Sequence, residues 1–366
     1  MRYLFINSVA GCGSTGRIVA EKARELMEHG HQCLIAYGRE KANCVDIPTL
    51  FIGGALHIRL HGIRSRIFDS HGFGSRAATR RFIKQVKEYD PDVIWLHQIH
   101  GYYIHIGVLF DYLRTCGKKI YWTLHDCWAI TGHCTYFDYI GCDRWESGCF
   151  CCPQKREYPA TIGLDNCARN YKRKRSLFTG IPNLTIITVS NWLKDRVKRS
   201  FLSQYPVEVV HNTVSSKDFQ PTGSDFRRQY GLEGKILLLG VANKWERRKG
   251  LADFVALSGM LDDRFRIILV GLSGKQASAM PENILCLPKT NSAKKLAEIY
   301  TAADVHICAG VEETFGMTVL ESIACGTPVI VYAGTACEEV TNMYGGTAVQ
   351  WGVQNIYDAL MSRFDP

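Results

Sequence analysis

Short apolar runs recur along the chain, and most are followed by a glycine-bearing or polar turn and then a stretch with helical periodicity. In the first part these runs are Tyr3–Ile6, His31–Tyr37, Asp92–His97, Ile120–Leu124, Leu184–Ser190 and Val207–His211. In the second they are Lys235–Ala242, Phe265–Val270, Asn283–Leu287, Val305–Cys308 and Val329–Tyr332. Runs of this length bounded by turn residues predict strands buried on both faces, as in parallel sheets. Helical periodicity is read over Arg17–His29, Ala77–Val86, Val108–Cys116, from Asn191, from about Leu251, over Lys294–Ala303, Met317–Cys325 and Val353–Met361. Strands alternating with helices in both parts predict an α/β protein whose halves are each Rossmann-like, with no repeat visible between them. A chain of 366 residues holds two such domains, expected at 1–210 and 211–366 with the join near 205–220.

The stretch from Ala309 to Gly334 carries the clearest chemistry. Glu313 falls in the loop between a strand and the short helix Met317–Cys325, which Gly326 and Pro328 stop, and Glu321 lies inside that helix. The helix N-terminus presents unpaired N–H groups and a positive dipole end, suited to a phosphate or polar sugar. Two carboxylates beside an anion site make sense as acceptors for hydroxyl groups while the main chain holds the phosphate. That describes a nucleotide-sugar pocket. A second strand–glycine turn–helix opens the chain, where Gly11, Gly13 and Gly16 let main chain approach a phosphate, with Ser14 and Thr15 between them. It lacks the GxGxxG pattern of dinucleotide binding. His97 and His100 follow one strand and His125-Asp126 another, so three histidines converge on one sheet edge, where open parallel sheets bind ligands.

Glu313 and Glu321, with seven residues between them, resemble the paired-Glu signature of the family 4 retaining glycosyltransferases, as do Phe315-Gly316 after the first and CGTPVI after the second. The resemblance implies the GT-B architecture, two facing Rossmann-like domains with a deep interdomain cleft. Its N-terminal domain would receive a glycan or lipid-linked glycan acceptor and its C-terminal domain a UDP- or GDP-sugar. It implies catalytic roles for Glu313, Lys249 and His125. It implies donor contacts from Gly13 and Gly16, Asn243 and Lys244, Thr290, and Phe315, Gly316, Met317, Thr318 and Glu321. Asn243 departs from the pattern, standing where the family has an Arg six residues before the Lys. Lys244, Arg247 and Arg248 are the neighbouring substitutes. The retaining chemistry needs no protein nucleophile and no metal cofactor, since a donor phosphate oxygen can take the acceptor proton.

Composition adds to this picture at three points. Fifteen cysteines without a secretory signal favour thiols or metal ligands over disulfides and a cytoplasmic location. Cys134, Cys142, Cys149 and Cys152, in an insert spanning 131–153, could close a structural Cys₄ zinc site around the final CxxC, with Cys151 an additional thiol and His133 a substitute ligand. Disulfides and plain buried thiols are the rival readings, and the insert resembles that of the colanic-acid-type subgroup of family 4. The net charge of +9 suits anionic partners. Residues 53–84 combine basic and aliphatic positions, which marks a candidate acceptor and membrane side, peripheral at the inner face of the plasma membrane. Arg169–Arg175 is a basic helix face without interleaved aromatics, so nucleic acid is not expected. Two alternatives keep other classes open: a nucleotide-sugar epimerase or inactive GT-B subunit, and a basic, cysteine-rich nucleic-acid-binding protein.

Overall fold

The computed structural model describes residues 1–290 and 292–365. Its contacts divide into two compact units, one over Met1–His211 and one from Asn212 onward.

The N-terminal unit is a sheet of seven parallel strands. They are β1 (Arg2–Ile6), β2 (Gln32–Tyr37), β3 (Thr49–Phe51), β4 (Val93–Leu96), β5 (Lys119–Leu124), β6 (Leu184–Thr188) and β7 (Val207–Val209). The spatial order is β3-β2-β1-β4-β5-β6-β7. The chain therefore winds outward from β1 in one direction and from β4 in the other. The loops leaving β1 and β4 part at this switch point and open a crevice at the strand ends. The helices are α1 (Gly13–Glu28), α2 (Ala55–Phe68), α3 (Arg76–Tyr89), α4 (Ile106–Leu113), α5 (Cys167–Phe178) and α6 (Asn191–Lys198). α1 buries Gly16, Val19, Ala20 and Ala23, one face of small residues that lets the helix lie close on the sheet. This packing draws the helix start to Gly13, ahead of the expected Arg17, despite the poor propensity of a Gly-Ser-Thr-Gly run.

The C-terminal unit has six parallel strands, β8 (Ile236–Val241), β9 (Phe265–Val270), β10 (Ile284–Leu287), β11 (Val305–Cys308), β12 (Val329–Tyr332) and β13 (Thr347–Val349). Their order is β10-β9-β8-β11-β12-β13, with the switch point between β8 and β11. Its helices are α7 (Phe226–Gln229), α8 (Leu251–Ser258), α9 (Gly274–Ala277), α10 (Ala293–Ala302), α11 (Met317–Ala324), α12 (Ala336–Tyr344) and α13 (Val353–Phe364). Alternate residues of each strand feed opposite faces. Leu238, Ile267, Leu269 and Ile307 pack under α8 and α13, while Leu237, Leu239, Ile268 and Val270 pack under α10. Each such side chain contributes about 1.5–3 kcal/mol by burial. This two-sided burial is why the strands read as continuous apolar runs.

Most elements fall within a few residues of the expected bounds, the usual scatter at fraying ends. The sequence pattern does not announce β3, α2, α7, α9, α12 or β13. The cysteine insert forms only single 3₁₀ turns at Asp138–Ile140 and Arg144–Glu146, with another just before it at Trp128–Ile130. It is pinned to α6 and the residue that caps it by ion pairs from Arg196 to Asp138 and from Arg199 to Glu146. The Phe137 and Trp145 rings stack inside it, 4.7 Å apart. Among the described residues no helix is long and apolar enough to cross a membrane.

Candidate active site

In the C-terminal unit the switch point gathers the charged residues. Lys249 leaves β8 in a short turn, Arg247–Lys249, and Glu313 follows β11, the adjacent strand. Gly250, at φ +73°, permits this approach: a Cβ there would lie 2.2 Å from the carbonyl oxygen of Ala309. The Lys249 amine is ion-paired with Glu313 Oε1. Arg248 Nη1 lies 3.6 Å from the same oxygen and donates to the main-chain oxygen of Glu312 at 2.8 Å. The Arg248 carbonyl in turn accepts from the N–H of Val311 at 2.9 Å, so the two loops are stitched together. Burial would raise the Glu313 carboxyl, but the charges of Lys249 and Arg248 outweigh it and hold the group below the usual carboxylate range.

Arg248 is the basic residue that sequence reasoning underrated. Asn243 and Lys244 are both exposed, and Lys244 pairs with Glu246 at 3.0 Å. Arg248 is buried instead beside Glu313. The signal for it in the sequence was only its place in a run of four basic candidates.

The expected donor residues of the next stretch lie at the start of α11. Phe315 is buried, Gly316 caps the helix at φ +97°, and Met317 and Thr318 are half-buried in its first turn. A Cβ on Gly316 would meet the Cys337 sulfur at 2.6 Å, so main chain rather than side chain fills that space. Glu321 is buried one turn further along, where the hydroxyl of Tyr300 donates to its Oε2 at 3.1 Å. Thr290 is half-buried in the loop after β10, and its hydroxyl accepts from the N–H of Ser292 at 3.1 Å.

In the N-terminal unit the loops after β1, β4 and β5 meet at the sheet's carboxyl edge. Asn7 ties two of them, its Oδ1 accepting from the N–H of Gln98 at 3.1 Å and its Nδ2 donating to Val9 O at 2.8 Å. Gly13 is exposed at the opening of α1, and Gly16 is buried, its carbonyl accepting from the N–H of Gly11. Both therefore belong to the helix's first turn rather than to the loop before it. Ser14 and Thr15 lie in the same turn.

His125 and His97 stand 3.0 Å apart, nitrogen to nitrogen, with rings stacked. Burial pushes His125 down to about 4 and His97 well below its ordinary value, so both are neutral near pH 7. His100 pairs instead with Asp126 at 2.8 Å. Burial would raise the Asp126 carboxyl, and the His100 partner outweighs it, lowering the group overall. These four side chains line one small cavity with Trp122 and Trp128.

The insert's Cys134, Cys142, Cys149 and Cys152 line a single cavity, and Cys151 is exposed outside it. Cys152 is drawn down to about 7, first by a hydrogen bond from Cys134. His133 hydrogen-bonds Asp69 through Nδ1 at 2.5 Å, and its buried Nε2 has no hydrogen-bond partner. Among the described residues no three His, Cys, Asp or Glu side chains are grouped as a metal ion would need them. The basic run Arg169–Arg175 also differs from expectation. Lys174 points inward, donating to the carbonyls of Trp128 and Thr131 at 2.7 and 3.0 Å, and Arg173 lies over the Phe73 ring. Those two charges hold the fold together and are not free for a polyanion.

Comparison with known proteins bears on the family and the fold. The pattern described as Glycosyl transferases group 1 matches residues 224–360. Among curated proteins, the chain is 25% identical over 297 residues to WcaC of Escherichia coli (strain K12), assigned to colanic acid biosynthesis as a glycosyl transferase, covering 78% of this chain and 70% of that one. A D-inositol 3-phosphate glycosyltransferase of Stackebrandtia nassauensis is 30% identical over 126 residues, 29% of this chain and 28% of the relative. Among solved structures, sucrose-phosphate synthase from Thermosynechococcus elongatus superposes with a TM-score of 0.73 at 16% identity, over 100% of this chain and 90% of its own. Anabaena HepE in complex with UDP and glucose gives 0.66 at 14% identity, over 100% and 90%. These likenesses establish the fold, the two parallel-sheet α/β units of GT-B glycosyltransferases. The pattern described as Glycosyltransferase Family 4 matches residues 15–217, more than half of the chain, and the chain belongs to that family.

Proposed function

We propose that the protein is a retaining glycosyltransferase that moves a sugar from a nucleotide-sugar donor to a hydroxyl of a lipid-linked glycan, in the biosynthesis of a surface polysaccharide. The observation that carries this reading is the buried ion cluster of Glu313 with Lys249 and Arg248 at the β8/β11 switch point. The carboxylate and the amine satisfy each other in the structure. A bound donor would separate them: Lys249 would turn to the diphosphate and Glu313 would accept from sugar hydroxyls. Negative charge then builds on the leaving diphosphate, and Lys249, Arg248 and the N–H groups opening α11 stabilise it. Glu321, oriented by Tyr300, would hold the ribose. A phosphate oxygen of the donor takes the acceptor proton, so the reaction is expected to survive chelators. Neutral His125 would offer a hydrogen bond to the transferred sugar.

The UDP-glucose bound in one structure of the HepE relative supports a uridine donor. The acceptor, the cytoplasmic location and work at an anionic membrane surface are part of the same reading. So is a structural zinc ion in the insert: the four thiols line one cavity, and they would have to draw together to ligate it. Zinc would tie together a segment that lacks regular secondary structure.

The test is a thermal-shift panel of UDP, GDP, ADP and their common sugars on the wild type and on Glu321→Ala. One base should stabilise the wild type by mass action and lose its effect in the variant. Silence from every nucleotide on folded protein would overturn the donor reading. For zinc, metal analysis of protein never exposed to chelator should find close to one equivalent, and less than about a tenth of one would end that proposal.

A further inference from the structure

α2 is inside out. His61 and Ser65 face the interior of the unit, with His61 Nε2 accepting from the N–H of Gly74 at 3.0 Å. On the other side Leu56, Leu60, Ile63 and Ile67 form one stripe, spaced four, three and four residues apart, and they are 66, 57, 55 and 42% exposed. A helix of a globular protein ordinarily turns such a stripe toward the core.

The patch extends beyond the helix. Phe68, the last residue of α2, joins it, and the segment 162–164 is held alongside. The N–H of Ile162 donates to Arg66 O at 2.9 Å and that of Leu164 to Ile67 O at 3.0 Å. Ile162 is 83% exposed and Leu164 also faces solvent. Single exposed aliphatic residues are ordinary, whereas a continuous set marks an interaction surface.

The charge around the patch selects the partner. α2 carries exposed Arg59, Arg64 and Arg66 and no acidic residue. Asp69, just past its end, is buried and paired with His133. The carboxylate of Asp165 is occupied by the N–H groups of Cys152 and Cys167. A second copy of the chain would bring like charges together across this face. An anionic bilayer supplies both an acyl boundary for the aliphatic stripe and phosphates for the arginines.

We propose that the outward face of α2, with Phe68 and the segment 162–164, docks the N-terminal unit on an anionic lipid surface. This gives a physical site to the membrane-surface part of the reading above and rests on it for its purpose. It is tested without donor or acceptor.

The full chain is sedimented with vesicles of phosphatidylcholine alone and of phosphatidylcholine mixed with phosphatidylglycerol. The wild type should pellet with the mixed vesicles. Leu60→Ser with Ile63→Ser should lower the partition at least about tenfold, since two exposed aliphatic anchors are lost. Arg59→Gln with Arg64→Gln and Arg66→Gln should lower it on mixed vesicles by about tenfold or more. All of these positions are exposed, so unchanged thermal midpoints check the folding of both variants. Wild type left in the supernatant, or variants that pellet as well as wild type, would overturn the proposal. So would a dimer in sedimentation velocity that the Leu60→Ser and Ile63→Ser changes dissolve. The nucleotide thermal shift is measured on the same preparations. A wild type that shows the shift but does not bind vesicles sinks docking alone, and a wild type that binds vesicles without any shift sinks the transfer reading alone.

Discussion

The carboxyl edges of the two sheets hold ionisable groups by opposite means. Between β8 and β11, opposed charges win over burial, and Glu313 stays ionised against Lys249 and Arg248. At the ends of β4 and β5, burial wins, and His97 and His125 are kept neutral against each other. The first arrangement stores charge that a ligand can redirect, at the risk of an unpaired buried ion if one partner is removed. The second offers neutral donors and acceptors and makes acid its weak point. One fold thus presents a buried ion cluster in one unit and a neutral histidine pair in the other.

The widest separation between the units should come from acid. His61 and His125 are each pushed to about 4, and His71 and His97 are lowered as well, all by burial. Below the ordinary value near 6.5 the unfolded chain takes up protons that the folded unit refuses. Stability is therefore complete above about pH 6.5 and is lost as pH falls toward 4, by up to about tenfold in the folding equilibrium per histidine per pH unit. Of the twelve histidines only His306 lies in the C-terminal unit's strands; burial pushes it to about 3, so that unit carries the same weakness once rather than several times, and Glu313 supports it until pH falls below its own lowered value. Hydrogen exchange at pH 7.5 and 5 should show protection lost first over residues 1–211. Equal loss in both units would break the contrast.

The next largest effect is on turnover. Lys249→Ala and Glu313→Ala should each slow transfer by about 10²–10³, as loss of a transition-state charge contact does. His125→Ala should cost only about tenfold, because a neutral hydrogen bond is lost. Product formation with a nucleotide sugar, read beside thermal midpoints, checks this, and a His125 effect as large as that of Lys249 would erase the distinction. Glu321→Ala should weaken nucleotide binding by about tenfold, with Tyr300→Phe weaker still in effect, since its hydroxyl only orients the carboxylate. Asn243→Arg should change turnover by less than about threefold, because an exposed side chain acts through high dielectric. A large gain there would mean that Arg248 does not serve the leaving group.

The sequence made the strands legible because each is buried on two faces, and it made Glu313 and Lys249 legible because each sits in a strand–turn–helix context. Glu321 was legible for the same reason. What escaped did so for physical causes. α2 hides because Gly62 and the intervening Arg and His residues break up its aliphatic pattern along the sequence. β3 is a three-residue edge strand, and α12 with β13 carries too few apolar positions to register. Arg248 could not be told from Lys244 or Arg247 until the two loops were seen hydrogen-bonded to each other. Lys174 looked like one more solvated cation, and only packing reveals it as a core residue.

That inward lysine has a practical consequence. Its amine, pushed down to about 7 by burial, is clamped to the carbonyls of Trp128 and Thr131 just ahead of the cysteine segment. Amine-reactive reagents cannot reach it while that clamp is closed, and once released into solvent it reacts as an ordinary exposed lysine. The labelling rate of Lys174 is thus a clock for how often this corner of the protein opens, readable by mass spectrometry without any engineered probe.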